Sequence, residues 1–509
     1  MSSRLDNSIR NIKYSMFNAI VVAIIPMITR TVFINCLGKN YLGIDAVFIN
    51  IVNLLEIVNV GIGTAITYSV YQPIASGDIE KCKTLFHLYK RCYWVMGIIV
   101  AVLGIGVIPF FDMLLKNPPK IQEDLILIYL IILFGMVSGY FFADKQCVLI
   151  AHQKNYIISK YRTFAIIVIN IAEIVVLWMT KQYILYLIIQ AMQNLIINLL
   201  VYRKAVVLYP FIREKNVAPL DKDDRKKIIK NTSALVLNRA GSLIISGTDN
   251  LVLSSVVGVT SVGLYSNYFT IKNCVNNFAT LFTNQIGSSI GNFLAQKQDE
   301  KDAIDLFEKV FFANYLVYSF CSICLTLLFQ PFITLWIGEE YLLSFPAALI
   351  IVANFYFLGM QNAIAQFKAA SGLYWQDRYR VIVESIINLV SSVLLARRYG
   401  VLGVFLGTLV SYLLVSFWVE PKVVCKNLMH VSPAFYFKKY IVYTGFTVIA
   451  MLLLKELCDC LPFSSTLLGF LCRAISVGIA DIGLHMIVFW RHRDFQYLKK
   501  LMLNRVRRR

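Results

Sequence analysis

Residues 37–45 read LGKNYLGID, and residues 257–265 read VGVTSVGLY. Leu37-Gly38 falls over Val257-Gly258, and Leu42-Gly43 over Val262-Gly263, in one ungapped register. The register continues with Ile51 and Asn53 over Ile271 and Asn273, and Glu80-Lys81 over Glu300-Lys301. At a marginally shorter shift, Tyr161-Arg162 and Asn170 fall over Tyr379-Arg380 and Asn388. Self-similarity at a fixed period of about 220 residues marks a duplicated architecture.

The duplicated unit is a membrane bundle. Of 509 residues, 58% are hydrophobic and only 15% charged, against about 25% charged in a soluble domain. Apolar runs long enough to span a bilayer recur along the chain, from Tyr14–Leu37, Leu42–Tyr71 and Tyr93–Leu115 to Tyr440–Leu454 and Leu467–Trp490. Together they make about fourteen expected spans. No cleavable leader is expected, because the first run is too long and lacks a small-residue cleavage pattern.

The net charge of +20 comes from 49 Lys and Arg against 29 Asp and Glu. The basic residues gather in alternate short loops and in the stretch Tyr202–Lys230. That pattern reads as the positive-inside rule, with both termini cytoplasmic, and disfavours nucleic acid as a partner. The repeat period covers an even number of spans, so the halves are parallel rather than inverted. The expected division is an N-lobe over 1–215, a C-lobe over 216–430, two extra helices over 431–490 and a basic tail over 491–509. The loop IEKCKTLFHLYKRCYW (79–94) is either an amphipathic surface helix or an extension of the next span.

Polar residues inside spans are costly, and this chain keeps many. Thr270, Asn273, Asn277, Thr280, Asn284 and Ser288 recur at helical spacing on the eighth span. Arg239, Ser242, Ser246 and Asp249 do so on the seventh, and Asn50, Asn53, Glu56 and Asn59 on the second. Arg30 lies deep in the first span, and Glu173 and Glu384 lie in the fifth and eleventh. Asp144, Lys272 and Arg380 sit near span ends, where such side chains can snorkel. Taken together, the stripes point to a hydrated cavity between the halves, since lipid would not tolerate them. The CxxC of Cys321 and Cys324 lies within an apolar run and reads as two core thiols. The histidines show no metal-ligand spacing, and no cofactor is expected.

The parallel halves, the mirrored polar stripes, Ser8-Ile9-Arg10-Asn11 and the ASGDIEK segment (75–81) resemble the polysaccharide transport branch of the multidrug/oligosaccharidyl-lipid/polysaccharide exporter superfamily. This resemblance implies an all-α, V-shaped two-lobe transporter rather than an enzyme. Its implied cargo is an undecaprenyl-diphosphate-linked oligosaccharide, flipped across a bacterial cytoplasmic membrane by alternating access for capsule, exopolysaccharide or O-antigen synthesis. Implied partners are membrane lipid, a coupling proton or sodium ion, and polymerase and chain-length machinery. On that reading Arg30 and Arg239 hold the diphosphate, Asn53, Asn273, Asn277 and Asn284 meet the sugar, and Glu56 and Asp249 couple the ion. A cation antiporter and a peptidoglycan-precursor flippase of the same fold remain alternatives. So does a membrane glycosyltransferase or polymerase, although the short outer loops disfavour it.

Overall fold

The computed structural model describes residues 2–55, 78–152, 154–214, 247–295, 300–371, 376–460 and 466–507, with 70, 73–74 and 373 besides. Glu56, Arg239 and the central basic stretch beyond residue 214 lie outside the described residues. The chain divides into two compact units, Met1–Gly263 and Leu264–Arg509.

The first unit begins with α1 (Ser2–Leu55), which is broken at Gly38 by φ 79°, ψ −176°. That backbone state is open to glycine and strained for other residues, so the break separates the first expected span from the second. Gly258, the repeat counterpart of Gly38, also has a positive φ (139°), just before helix Val259–Ala295. The duplication thus preserves a turn as well as a pattern. Next come α2 (Ile79–Val107), α3 (Leu125–Ser138), α4 (Asn155–Thr180) and α5 (Tyr183–Leu208). Asp78 caps α2 through the Lys81 amide at 2.9 Å, and Asp124 caps α3 through Ile126 and Leu127. These caps satisfy amide groups that a helix start leaves without partners.

The 79–94 segment is continuous with the rest of α2, which decides for the helical extension. Its apolar side is covered by protein: Leu85, Phe86 and Tyr89 cluster with Cys147, Val148 and Ile212. The opposite, exposed residues Ile98, Val102 and Ile105 form a lipid-facing stripe.

The counterpart of the second expected span is α6 (Val259–Ala295), followed by α7 (Glu300–Ile337), α8 (Phe345–Ala370), α9 (Arg380–Tyr399), α10 (Val401–Leu414) and α11 (Ser416–Val424). The C-terminal pair is α12 (Ala434–Cys460) and α13 (Leu467–Phe489), and the tail forms α14 (Arg493–Arg507). Phe307, Phe311, Tyr315, Tyr436, Tyr443 and Phe489 share one buried cluster, which fastens the extra pair to α7. Ring pairs such as Tyr315–Tyr443, stacked at 4.4 Å, add directional contact to that burial. The basic tail is tied down by ion pairs of Arg493 to Glu308 (2.7 Å) and Asp305 (2.8 Å).

Among the described residues, ten helices are long and apolar enough to cross a membrane. One runs Ile24–Leu55 across the Gly38 break, so two expected spans share it. The other expected spans that do not qualify are the seventh, largely undescribed, the eighth (α6) and the eleventh (α9). The eighth falls short because of the polar stripe described above. In α9 the reason is visible in its faces: Glu384, Asn388 and Ser392 are buried, while Ile382, Ile386 and Leu394 are exposed. That is a helix with protein on its polar side and lipid on its apolar side. The chain is a multi-pass, all-α membrane protein.

Candidate functional site

In the first unit, polar side chains converge from α1, α4 and α5. Thr29 donates from Oγ1 to Asn170 Oδ1 at 2.7 Å, fastening α1 to α4. One residue on, half-buried Arg30 has Asp45 and Tyr186 as electrostatic neighbours. Asp45 stands just beyond the Gly38 break and accepts a hydrogen bond from Tyr183 Oη at 3.1 Å. Glu173, 3% exposed, is a further charged neighbour of Asp45. Asp45 therefore lies between a guanidinium and a second carboxylate in a setting where an unpaired charge is expensive. Such a cluster can anchor an anion through Arg30 or exchange a small cation at its surplus carboxylate.

Beside it lies a recess of about 160 Å³, lined by Asn53, Gln190 and Asn194 together with Val52, Met136 and Leu187. Its wall is apolar with three amides, and those amides are donors and acceptors suited to hydroxyls. Asn53 is exposed, as a binding residue requires. Gln190 donates to Tyr186 Oη at 3.1 Å, which joins the recess to the Arg30 cluster.

The remaining described sequence candidates lie on later elements. Asp249 is buried, 9% exposed, in the helical turn 247–252. A Cβ on neighbouring Gly247 would stand 1.8 Å from Leu54 Cδ2, so this turn packs directly on α1. On α6, Asn273 is half-buried and Asn277 exposed, and Asn284 lies in the helix with its side chain outside the description. Buried Tyr265 and Tyr268 occupy the other side, with Tyr265 against Phe405 at 4.4 Å. The structure thus brings Arg30 and Asn53 into neighbouring parts of one polar region.

Sequence reasoning missed Asp45, which reads as a residue of a turn, and Tyr183, Tyr186, Gln190 and Asn194. The signal for the last two was present: Gln190, Asn194 and Asn198 recur at four-residue steps in an apolar helix. The same reasoning underrated the second unit. Lys368 there pairs with Asp377 at 2.7 Å and with Glu420 at 2.5 Å. Arg380 adds Asp377, Glu384 and Glu420 at 3.2, 3.2 and 3.0 Å. Arg380 is thus locked in a buried network rather than snorkelling. Asp144, likewise, pairs with buried Lys145 at 2.8 Å. Lys272 is half-buried, its ammonium 4.6 Å from the Phe269 ring centre.

These features define a polytopic bundle with buried charge and amide-lined space, the build of a membrane transporter. Residues 8–286, more than half of the chain, match the family described as Polysaccharide biosynthesis protein, and the chain belongs to that family. An uncharacterised membrane protein of Methanocaldococcus jannaschii is 20% identical over 502 residues, spanning 94% of this chain and 95% of its own. Among solved structures, the lipid II flippase MurJ in an inward closed conformation covers 95% of this chain and 99% of its own, at TM-score 0.69 and 14% identity. An inward-facing multidrug resistance MATE family transporter of the MOP superfamily covers 79% and 95%, at TM-score 0.62 and 12% identity. The Vibrio cholerae MATE transporter VcmN covers 86% and 100%, at TM-score 0.58 and 14% identity. The chain therefore has the exporter fold these proteins share.

Proposed function

We propose that this protein flips an undecaprenyl-diphosphate-linked oligosaccharide across a bacterial cytoplasmic membrane by alternating access, with both termini cytoplasmic. The observation that carries the reading is the pairing of Arg30 with an amide-lined recess inside one bundle. A guanidinium meets diphosphate oxygens through paired hydrogen bonds. Asn53, Gln190 and Asn194 meet sugar hydroxyls, and the polyprenyl tail stays in lipid. Membership of a polysaccharide biosynthesis family supports this cargo over others. On this reading Arg239, Asn273, Asn277 and Asn284 extend the binding surface in the second repeat, and Glu56 and Asp249 take part in ion coupling. Polymerase and chain-length proteins would receive the flipped unit. The lobes divide near residue 216, with the helix pair 431–490 and the tail 491–509 appended.

A second reading is a cation antiporter of the same fold. The second carboxylate, Glu173 beside Asp45, favours it. Purified protein in liposomes separates the two. Fluorescent undecaprenyl-diphosphate oligosaccharide placed in one leaflet should become accessible in the other faster than in protein-free vesicles. Equal rates, together with proton-driven uptake of an organic cation, would replace the flippase reading with the antiporter.

A further inference from the structure

Among the described residues of the second unit, the most fully buried acid is Asp481 on α13, at 0% exposure. Neither carboxylate oxygen accepts a hydrogen bond from any described residue. His485, one turn along, brings Nδ1 to 3.1 Å from Oδ1. The approach misses hydrogen-bonding geometry, because that N–H is directed to the Asp481 carbonyl oxygen at 2.9 Å. Ser322 on α7 has a buried hydroxyl that is also unpartnered among the described residues. An orphaned acid in a membrane helix calls for an explanation, since leaving it ionised and unsolvated is costly.

The other face of His485 is well connected. Nε2 lies 3.2 Å from Ser319 Oγ and 3.3 Å from Tyr315 Oη. Ser319 Oγ meets Thr447 Oγ1 at 2.8 Å, and Thr447 Oγ1 meets Tyr356 Oη at 3.5 Å. Tyr356 Oη meets Thr444 Oγ1 at 3.1 Å. Every link is a hydroxyl that both donates and accepts. The chain runs from His485 Nε2 to half-buried Thr444 on α12, and Thr447 Oγ1 also reaches the Tyr443 carbonyl at 2.9 Å.

The geometry points to a proton-binding site at Asp481 and His485, loaded through the hydroxyls of Ser319, Thr447, Tyr356 and Thr444. With His485 neutral and Asp481 ionised, the pair carries one negative charge. A proton taken up at Nε2 makes an imidazolium–carboxylate pair, and its onward transfer from Nδ1 to Oδ1 gives a neutral acid beside a neutral imidazole. Either product has no net charge. Each relaying hydroxyl gives up one proton and gains another, so no bond is consumed. The other titratable groups near Asp481 and the relay are Tyr315, Cys321 and Cys324 on α7, Tyr356 on α8 and Tyr443 on α12. Among the described residues, His485 is the one ion-pair partner of Asp481. The site joins the appended helices α12 and α13 to α7 and α8, all within the second unit. It requires no particular cargo.

Infrared titration of the full chain in phospholipid nanodiscs tests this without reference to transport. The wild type should show a carboxylic-acid carbonyl stretch that vanishes as pH rises, and Asp481→Asn should lack it. His485→Gln should keep a pH-dependent band, because the acid that holds the proton remains, and should slow deuterium exchange into it, because the imidazole that delivers the proton is gone. Thr447→Val should leave the midpoint in place and slow deuterium exchange into the acid. An unchanged band in Asp481→Asn overturns the proposal. So does a band that responds to sodium at fixed pH rather than to protons. If Asp481→Asn fails to insert, the His485→Gln exchange rate decides, and a rate equal to wild type overturns the proposal.

Discussion

Replacing Lys368 with Met should destabilise the second unit by about 3 kcal/mol, the lower end of the cost of breaking a buried ion pair. Lys368 is 5% exposed and holds two carboxylates, Asp377 at 6% and Glu420 at 3%. The wild-type cluster already has three carboxylates, counting Glu384, against two cations. Removing the ammonium leaves three carboxylates to Arg380 alone. Arg380 still reaches Asp377 and Glu420, and Gln361 still donates to Glu420, so the loss stays below the upper limit near 5 kcal/mol. The expected change in the unfolding equilibrium is a factor of about a hundred or more. Titration of the purified protein from mild detergent into dodecyl sulfate, followed by tryptophan fluorescence, reads that change. Adding Glu420→Gln to Lys368→Met removes one stranded charge and should recover part of the loss, a coupling that independent sites would not show. A Lys368→Met protein within about 0.5 kcal/mol of wild type would refute the reasoning, since that is the scale of an ordinary surface change. So would a double variant no more stable than the single one.

Arg30→Ala and Arg239→Ala should each abolish flipping of the diphosphate-linked substrate in liposomes while leaving insertion intact; normal flipping by both would remove them from the site. Gly43→Val should destabilise the first unit by about 1–3 kcal/mol through overpacking. A Cβ at Gly43 would stand 2.8 Å from the Val259 carbonyl oxygen, and one at Gly263 would stand 2.9 Å from Gly43 Cα. A thermal midpoint equal to wild type would show that the two turns separate freely. His152, just past a membrane-spanning segment, has its pKa lowered from 6.5 by burial and by Lys154, against the hydrogen bond to the Val148 carbonyl. The unfolded chain then binds the proton more readily, so this contribution to stability is present above pH 6.5 and is lost as pH falls through that range. His152→Gln should flatten that part of the stability–pH curve, and an unchanged curve would rule the residue out.

The amide recess shows where sequence pattern stopped short. Asn53 stood out because it falls in a stripe with Asn50, Glu56 and Asn59, and such a stripe in an apolar run has a price that single-sequence reasoning can recognise. Asp45 did not, because an acid seven residues past the Gly38 turn reads as interfacial until the fold shows Tyr183 bonded to it. Gln190 and Asn194 carried a usable period, yet nothing in the period says that α1 and α3 leave space opposite them.

The sequence by itself determined the solvent, the helical class, the duplication and the two matching glycine turns. Each of these follows from local composition or from a fixed spacing, which burial in lipid enforces residue by residue. Only the tertiary structure decided which charges meet. Lys368 and Glu420 stand 52 residues apart, and Ser319 and His485 stand 166 apart. Pairings at that separation depend on how helices pack side by side, and a helix's own periodicity fixes which face is polar but not which neighbour that face will find.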